Sequence, residues 1–223
     1  MGSRQTASGV PGAVVDPRSP ASPKLIVYSE LALTVSGVLL SVFMVMHLSL
    51  LFTVVISAET MDELAHFLER YYLLQIGVAP VIFLLAFHTV LASRRIPFSL
   101  ARQKVIFQHA RSVKHIDTWT WIIQIATGAA IVVLASIHIW VVVTDLPVEA
   151  SKSATRVIGN YLWVYIPFVA IVESHIAFGL FRVLIKWGVM SRKRAHIVLV
   201  AWSAGILAIG YLILANFYWL GAE

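Results

Sequence analysis

Polar residues in this chain gather in short clusters, and between the clusters run five long stretches with few charges. The stretches cover about 25–57, 71–93, 117–144, 157–187 and 196–220. At 1.5 Å per residue, about 20 residues of helix cross the roughly 30 Å hydrocarbon layer of a bilayer. Each stretch meets that length, and the first and fourth are long enough to tilt or protrude. The pattern predicts an all-α integral membrane bundle of five transmembrane helices over 25–223, forming a single domain. Residues 1–24, rich in Gly, Ser and Pro, read as a disordered cytoplasmic tail. The apolar run after it is far too long for a signal-peptide core, so no cleavage is expected.

The connectors set a direction. "SRRIPFSLARQKVIFQHARSVKH" (93–115) and "MSRKRAH" (190–196) are basic, "AETMDELAHFLER" (58–70) is acidic, and "DLPVEASKSATR" (145–156) is mixed. The positive-inside rule puts the basic connectors and the N-terminus in the cytoplasm and the C-terminus outside. Spans one, three and five then run outward, and spans two and four run inward.

Composition agrees with a membrane protein. Hydrophobic residues make up 59% of the 223 and charged ones 13%, too oily for a soluble domain of this size. The formal net charge is +6, but the basic residues flank the spans, which speaks for orientation and not for nucleic acid. Cysteine is absent, so this chain holds no disulfide, thiolate-bound iron–sulfur cluster or covalent haem.

Of eight histidines, His66, His109, His115 and His196 fall in connectors or at helix ends, where solvated polar residues are ordinary. His47, His88, His138 and His175 lie inside spans one to four, one in each. The helical rise puts His47 and His138 roughly 9–10 Å outward of their helix centres, and His88 and His175 about 5–8 Å inward. Two cross-bundle pairs at two depths suit two haems, each gripped by axial imidazoles from facing helices. A proton relay is the competing reading. Zinc would want its ligands at one level.

Gly37 precedes His47 by ten residues, and Gly128 precedes His138 by ten. Ten residues is about 15 Å of helix, so each glycine sits near the depth of the inner pair. A glycine there lets a flat macrocycle approach the backbone, unless it serves plain helix packing.

In the fourth span, Glu173 and His175 are about 200° apart and face opposite ways. Gly179, Arg182 and Lys186 follow on the histidine's face, within about 40° of it. The two cations suit haem propionates at the cytoplasmic side; as alternatives they are snorkelling anchors. An ionised carboxylate at the depth of Glu173 costs about 2.5–3.5 kcal/mol on insertion scales, and the neutral acid costs less. Glu173 therefore reads as a proton carrier, or else as a neutral acid hydrogen-bonded within the bundle.

The stretches "TVSGVLLSVFMVMH", "HIDTWTWIIQIATGAAIVVLASIHIW" and "ESHIAFGLFRVLIKWG" carry a family resemblance. Over about residues 28–190 the chain resembles the five-helix, single-chain dihaem cytochrome b subunit of quinol:fumarate reductases. The resemblance implies two b haems, a distal one on His47 and His138 and a proximal one on His88 and His175. It implies Lys186, with Trp121 and Thr34, at the proximal haem's edge, and Arg156 near the distal propionates. Glu173 matches a carboxylate tied to transmembrane proton transfer. Glu69, in "HFLERYYL", is similar to the acid that takes a proton from menaquinol; Glu63 and His66 are alternatives.

The implied function is that of membrane anchor and electron-transfer subunit of a menaquinol:fumarate oxidoreductase. Its implied partners are lipid, quinone, and an iron–sulfur and a flavoprotein subunit on the cytoplasmic side, with 93–115 and 188–196 as docking surface. The dicarboxylate site would lie on a partner. A bacterial inner membrane is the implied location, and a dimer of heterotrimers is compatible with the resemblance. Three other readings stay open: a menaquinone-reducing succinate dehydrogenase, a cytochrome b of another respiratory oxidoreductase, and a haem-free transporter or scaffold.

Overall fold

The computed structural model describes residues 23–96, 99–113 and 116–223. All regular structure among them is helical: α1 (Pro23–Ile56), α2 (Ala58–Arg70), α3 (Leu73–Ser93), α4 (Leu100–Val113), α5 (Ile116–Val143), α6 (Ala150–Arg156), α7 (Leu162–Lys186) and α8 (Arg192–Ala222). A π-helical turn, Val157–Tyr161, joins α6 to α7. Five stretches are long and apolar enough to cross a membrane: Lys24–Ile56, Leu73–Ser93, Asp117–Val143, Ala150–Lys186 and Arg192–Ala222. The protein is an all-α, multi-pass membrane bundle. Its large apolar side chains point outward, with Phe83, Trp140 and Trp163 70–73% exposed, as lipid-facing residues are.

Four boundaries differ from the sequence reading. The acidic connector is the amphipathic helix α2, capped by Ser57, whose hydroxyl accepts from the Thr60 amide at 3.0 Å. Most of the basic connector is a helix too, α4; Pro97, Phe98, Lys114 and His115 lie outside the described residues. The fourth span starts at Ala150 and not near 157, because "ASKSATR" is polar and helix-forming at once and hydropathy misses it. Of the tail expected over 1–24, residues 1–22 lie outside the described residues, and Pro23 and Lys24 already belong to α1.

The basic and acidic connectors lie at opposite ends of the bundle, called here the basic end and the acidic end. α1 packs along α3, α5 along α7, and α8 along α7 and α1. At the α7–α8 crossing, a Cβ on Gly210 would stand 2.8 Å from Val169 Cγ1, so the small residue permits the close approach. α7 ends at the basic end in a Schellman motif. Gly188 takes φ +65°, its amide donates to Ile185 O at 3.1 Å, and the Val189 amide donates to Leu184 O at 2.9 Å.

One compact apolar core closes the acidic end. Val54, Met61, Ala150, Ala154, Val157, Ile213 and Phe217 meet there, drawn from α1, α2, α6, the π-helical turn and α8. Two carboxylates of α2 fasten this end. Asp62 Oδ1 accepts from the Ala150 amide at 2.7 Å, at the positive end of α6, and Glu69 Oε1 accepts from the Val148 amide at 3.0 Å.

Candidate functional site

Four half-buried imidazoles project between α1, α3, α5 and α7, and they come together in two pairs. Nearer the acidic end, the rings of His47 and His138 have centroids 5.9 Å apart and planes at 74°. Phe43 stacks on His47 at 5.7 Å, while Tyr165 and Phe168 flank His138 at 5.8 and 5.9 Å. His138 Nδ1 is buried without a hydrogen-bond partner.

Nearer the basic end, His88 and His175 lie close enough to interact electrostatically. Each ring rests on a glycine of a neighbouring helix. A Cβ on Gly37 would stand 3.1 Å from His88 Cε1, and one on Gly128 would stand 3.0 Å from His175 Cε1. These two glycines therefore make room for imidazoles. A hydroxyl precedes each: Ser36 Oγ lies 2.9 Å from His88 Nδ1, and Thr127 Oγ1 lies 3.1 Å from His175 Nδ1. Gln124, packed on Gly179, donates to His175 O at 3.1 Å with its amide nitrogen 3.4 Å from His175 Nε2.

Paired imidazoles are a donor set that could hold a metal by twos. An imidazole nitrogen bonds a transition metal at about 2 Å, so two rings gripping one ion from opposite sides have centroids about 6 Å apart. The His47–His138 separation meets that figure. The buried, unpartnered His138 Nδ1 is a further mark of a seat for a ligand. Among the described residues no three of His, Cys, Asp and Glu gather as a metal cluster.

Cations and carboxylates meet at the basic end. Glu30 of α1 forms ion pairs with both Lys186 and Arg95. Thr34 donates to Glu30 O at 2.9 Å and accepts from Trp187 Nε1 at 3.3 Å, so Trp187 sets an indole beside Thr34; Trp121 is half-buried on α5. Arg182 is half-buried and feels Asp117, which Arg192 grips through two bonds of 2.7 and 3.1 Å. This end already binds a carboxylate between a Lys and an Arg, and that is the chemistry a propionate requires.

At the acidic end Arg156 is almost buried and pairs with Asp145 at 2.9 Å, and its charge reaches His138. It lines a hollow of about 500 Å³ with Asp145, Lys152, Asn160 and Tyr161. Glu69 is half-buried and tied to Val148, whereas Glu63 and His66 are exposed on α2. Glu173 is 4% exposed, faces Ser203 of α8, and has Oε1 without a partner. It stands on the side of α7 away from His175, as the helical spacing requires.

Residues 100–213, just over half of the chain, match the family described as succinate dehydrogenase/fumarate reductase transmembrane subunit. The chain belongs to that family. It is 36% identical over 163 residues to the fumarate reductase cytochrome b subunit of Helicobacter pylori, in each of two strains, and 28% identical over 163 residues to that of Wolinella succinogenes. Each match covers 69% of this chain and 64% of the relative's length. The family's transmembrane character agrees with the five spans, and cytochrome b in the relatives' names agrees with paired imidazoles inside a helical bundle.

Sequence reasoning missed Ser36, Thr127 and Gln124, which surround the basic-end pair, and Glu30 and Arg95, which engage Lys186. A polar residue directly before a glycine inside an apolar span was the available signal for the first two.

Proposed function

We propose that the chain is the membrane anchor and electron-transfer subunit of a menaquinol:fumarate oxidoreductase. Residues 25–223 act as one domain carrying two b haems. His47 and His138 hold one, and His88 and His175 hold the other. Bound there, the haems supply one-electron transfer between a quinol site at the acidic end and an iron–sulfur subunit at the basic end. The carrying observation is the pairing of intramembrane imidazoles at two levels, one pair at the ring separation of bis-ligation.

The chain's own residues do the rest. Gly37 and Gly128 leave room beside the basic-end imidazoles. Lys186, with Arg182, Thr34 and Trp121, serves propionates at that end, where Glu30 stands in as the carboxylate. Arg156 serves those at the other end. Glu69 takes a proton from the quinol hydroxyl, with Glu63 and His66 as neighbours on α2. Glu173, buried against α8, holds a proton on a route separate from the imidazoles. The basic end, with the positive residues of 93–115 and 188–196, faces the cytoplasm of a bacterial inner membrane and docks the iron–sulfur subunit, which joins a flavoprotein. The relatives' names favour fumarate reduction, and succinate oxidation by menaquinone would use the same residues in reverse.

Affinity purification from gently solubilised membranes tests this reading. It predicts co-purification of an iron–sulfur and a flavin-bearing subunit, with menaquinol-driven fumarate reduction by the complex. Recovery with hydrogenase or formate dehydrogenase subunits, or without partners, would contradict it.

A further inference from the structure

Two hydroxyl–glycine dipeptides hold the basic-end imidazoles. Ser36–Gly37 on α1 receives His88, and Thr127–Gly128 on α5 receives His175. In both, the glycine lies under Cε1 and the hydroxyl meets Nδ1.

Each hydroxyl has one hydrogen. Ser36 Oγ donates it to Leu33 O at 3.1 Å, and Thr127 Oγ1 donates it to Ile123 O at 2.7 Å. A carbonyl only accepts, so each hydroxyl hydrogen has a backbone acceptor within reach. With its hydrogen on the carbonyl, each hydroxyl turns a lone pair to the imidazole, and Nδ1 carries the proton that meets it. Nε2 is then left bare.

Gln124 gives the same answer for His175 independently. Its amide nitrogen donates to His175 O, which fixes the orientation of the amide, and the same nitrogen approaches His175 Nε2 at 3.4 Å. An amide NH2 cannot accept a hydrogen bond, so the Nε2 that faces it carries no hydrogen. The opposite situation holds at the acidic end, where His138 Nδ1 has no partner.

We propose that Ser36 and Thr127 are positioning residues that fix the basic-end imidazoles as Nδ1–H tautomers with Nε2 presented to a metal. The inference rests on the haem reading above. A ligating histidine whose second nitrogen donates a hydrogen bond is held in orientation and made a stronger base. A stronger base favours ferric over ferrous iron, so these hydroxyls lower the reduction potential of one haem and leave the other alone.

The test is a redox titration and a ferric electron paramagnetic resonance spectrum of the purified complex, wild type against Ser36→Ala, Thr127→Val and Thr127→Ser. Valine keeps the shape of threonine without the hydroxyl, and serine keeps the hydroxyl. In Ser36→Ala and Thr127→Val the expected result is an upward shift of one midpoint, about 59 mV for each tenfold loss of ferric preference. The low-spin signal of the same haem should move, the second haem should stay fixed, and Thr127→Ser should behave as wild type. Selective loss of one haem in the two hydroxyl-free variants, with both retained in Thr127→Ser, would also support the proposal. Haem-loaded Ser36→Ala and Thr127→Val with wild-type potentials and spectra would overturn it. A colourless wild type would overturn the haem reading itself.

Discussion

His47 of α1 and His138 of α5 face each other across the bundle at 5.9 Å, ring to ring, while His88 and His175 each lie on a glycine of a neighbouring helix. The two pairs therefore depend on different things. The first needs only its two rings in register. The second needs the space left by Gly37 and Gly128.

That difference gives a contrast among glycines. A leucine at 128 would drive its Cβ to about 3 Å from His175 Cε1. Gly128→Leu should leave about half the wild-type haem per chain. Gly77→Ala, where a Cβ meets nothing within 4 Å, should keep all of it. Haem absorbance per mole of chain reads both.

Glu69 has a structural bond and a proposed chemical role, and substitution separates them. Glu69→Gln keeps an oxygen for the Val148 amide but cannot take a proton. Quinol oxidation should fall about 10²–10⁴-fold with the melting temperature unchanged. Undiminished turnover in Glu69→Gln would pass the role to Glu63 or His66.

Glu173→Gln preserves volume and removes the proton. Quinol-driven fumarate reduction should drop, while fumarate reduction by a dye that feeds the partner subunits directly should persist. Unchanged quinol-driven turnover with unchanged proton balance would remove Glu173 from the proton route.

The acidic-end core should govern stability. Phe217 is 4% exposed within it, so Phe217→Ala should cost about 3–5 kcal/mol in unfolding assays in detergent. By contrast Glu30→Gln, which frees the half-exposed Lys186 and Arg95, should cost about 1 kcal/mol or less.

The spans were legible because a helix in lipid must be apolar along its whole length, and that pattern needs no tertiary information. The depths of the imidazoles followed from the rise per residue alone. α2, α4 and α6 were not legible as helices, since they lie outside the span pattern. α2 is organised by the Ser57 cap and its pins to residues 148 and 150. Nor was the engagement of Lys186 by Glu30, because a pair 156 residues apart in sequence is set by packing. Gly37 and Gly128 were found by spacing as clearance for a macrocycle. Their immediate neighbours are the imidazoles of α3 and α7, and only three-dimensional contact could reveal that.

The most direct measurement of the central claim is the haem count of the purified protein, by pyridine haemochrome, in wild type and in His47→Ala. Paired ligation at two levels predicts two b haems per chain in the wild type and one in the variant, with a single midpoint remaining. A colourless wild type, or a variant that keeps two haems, would contradict it.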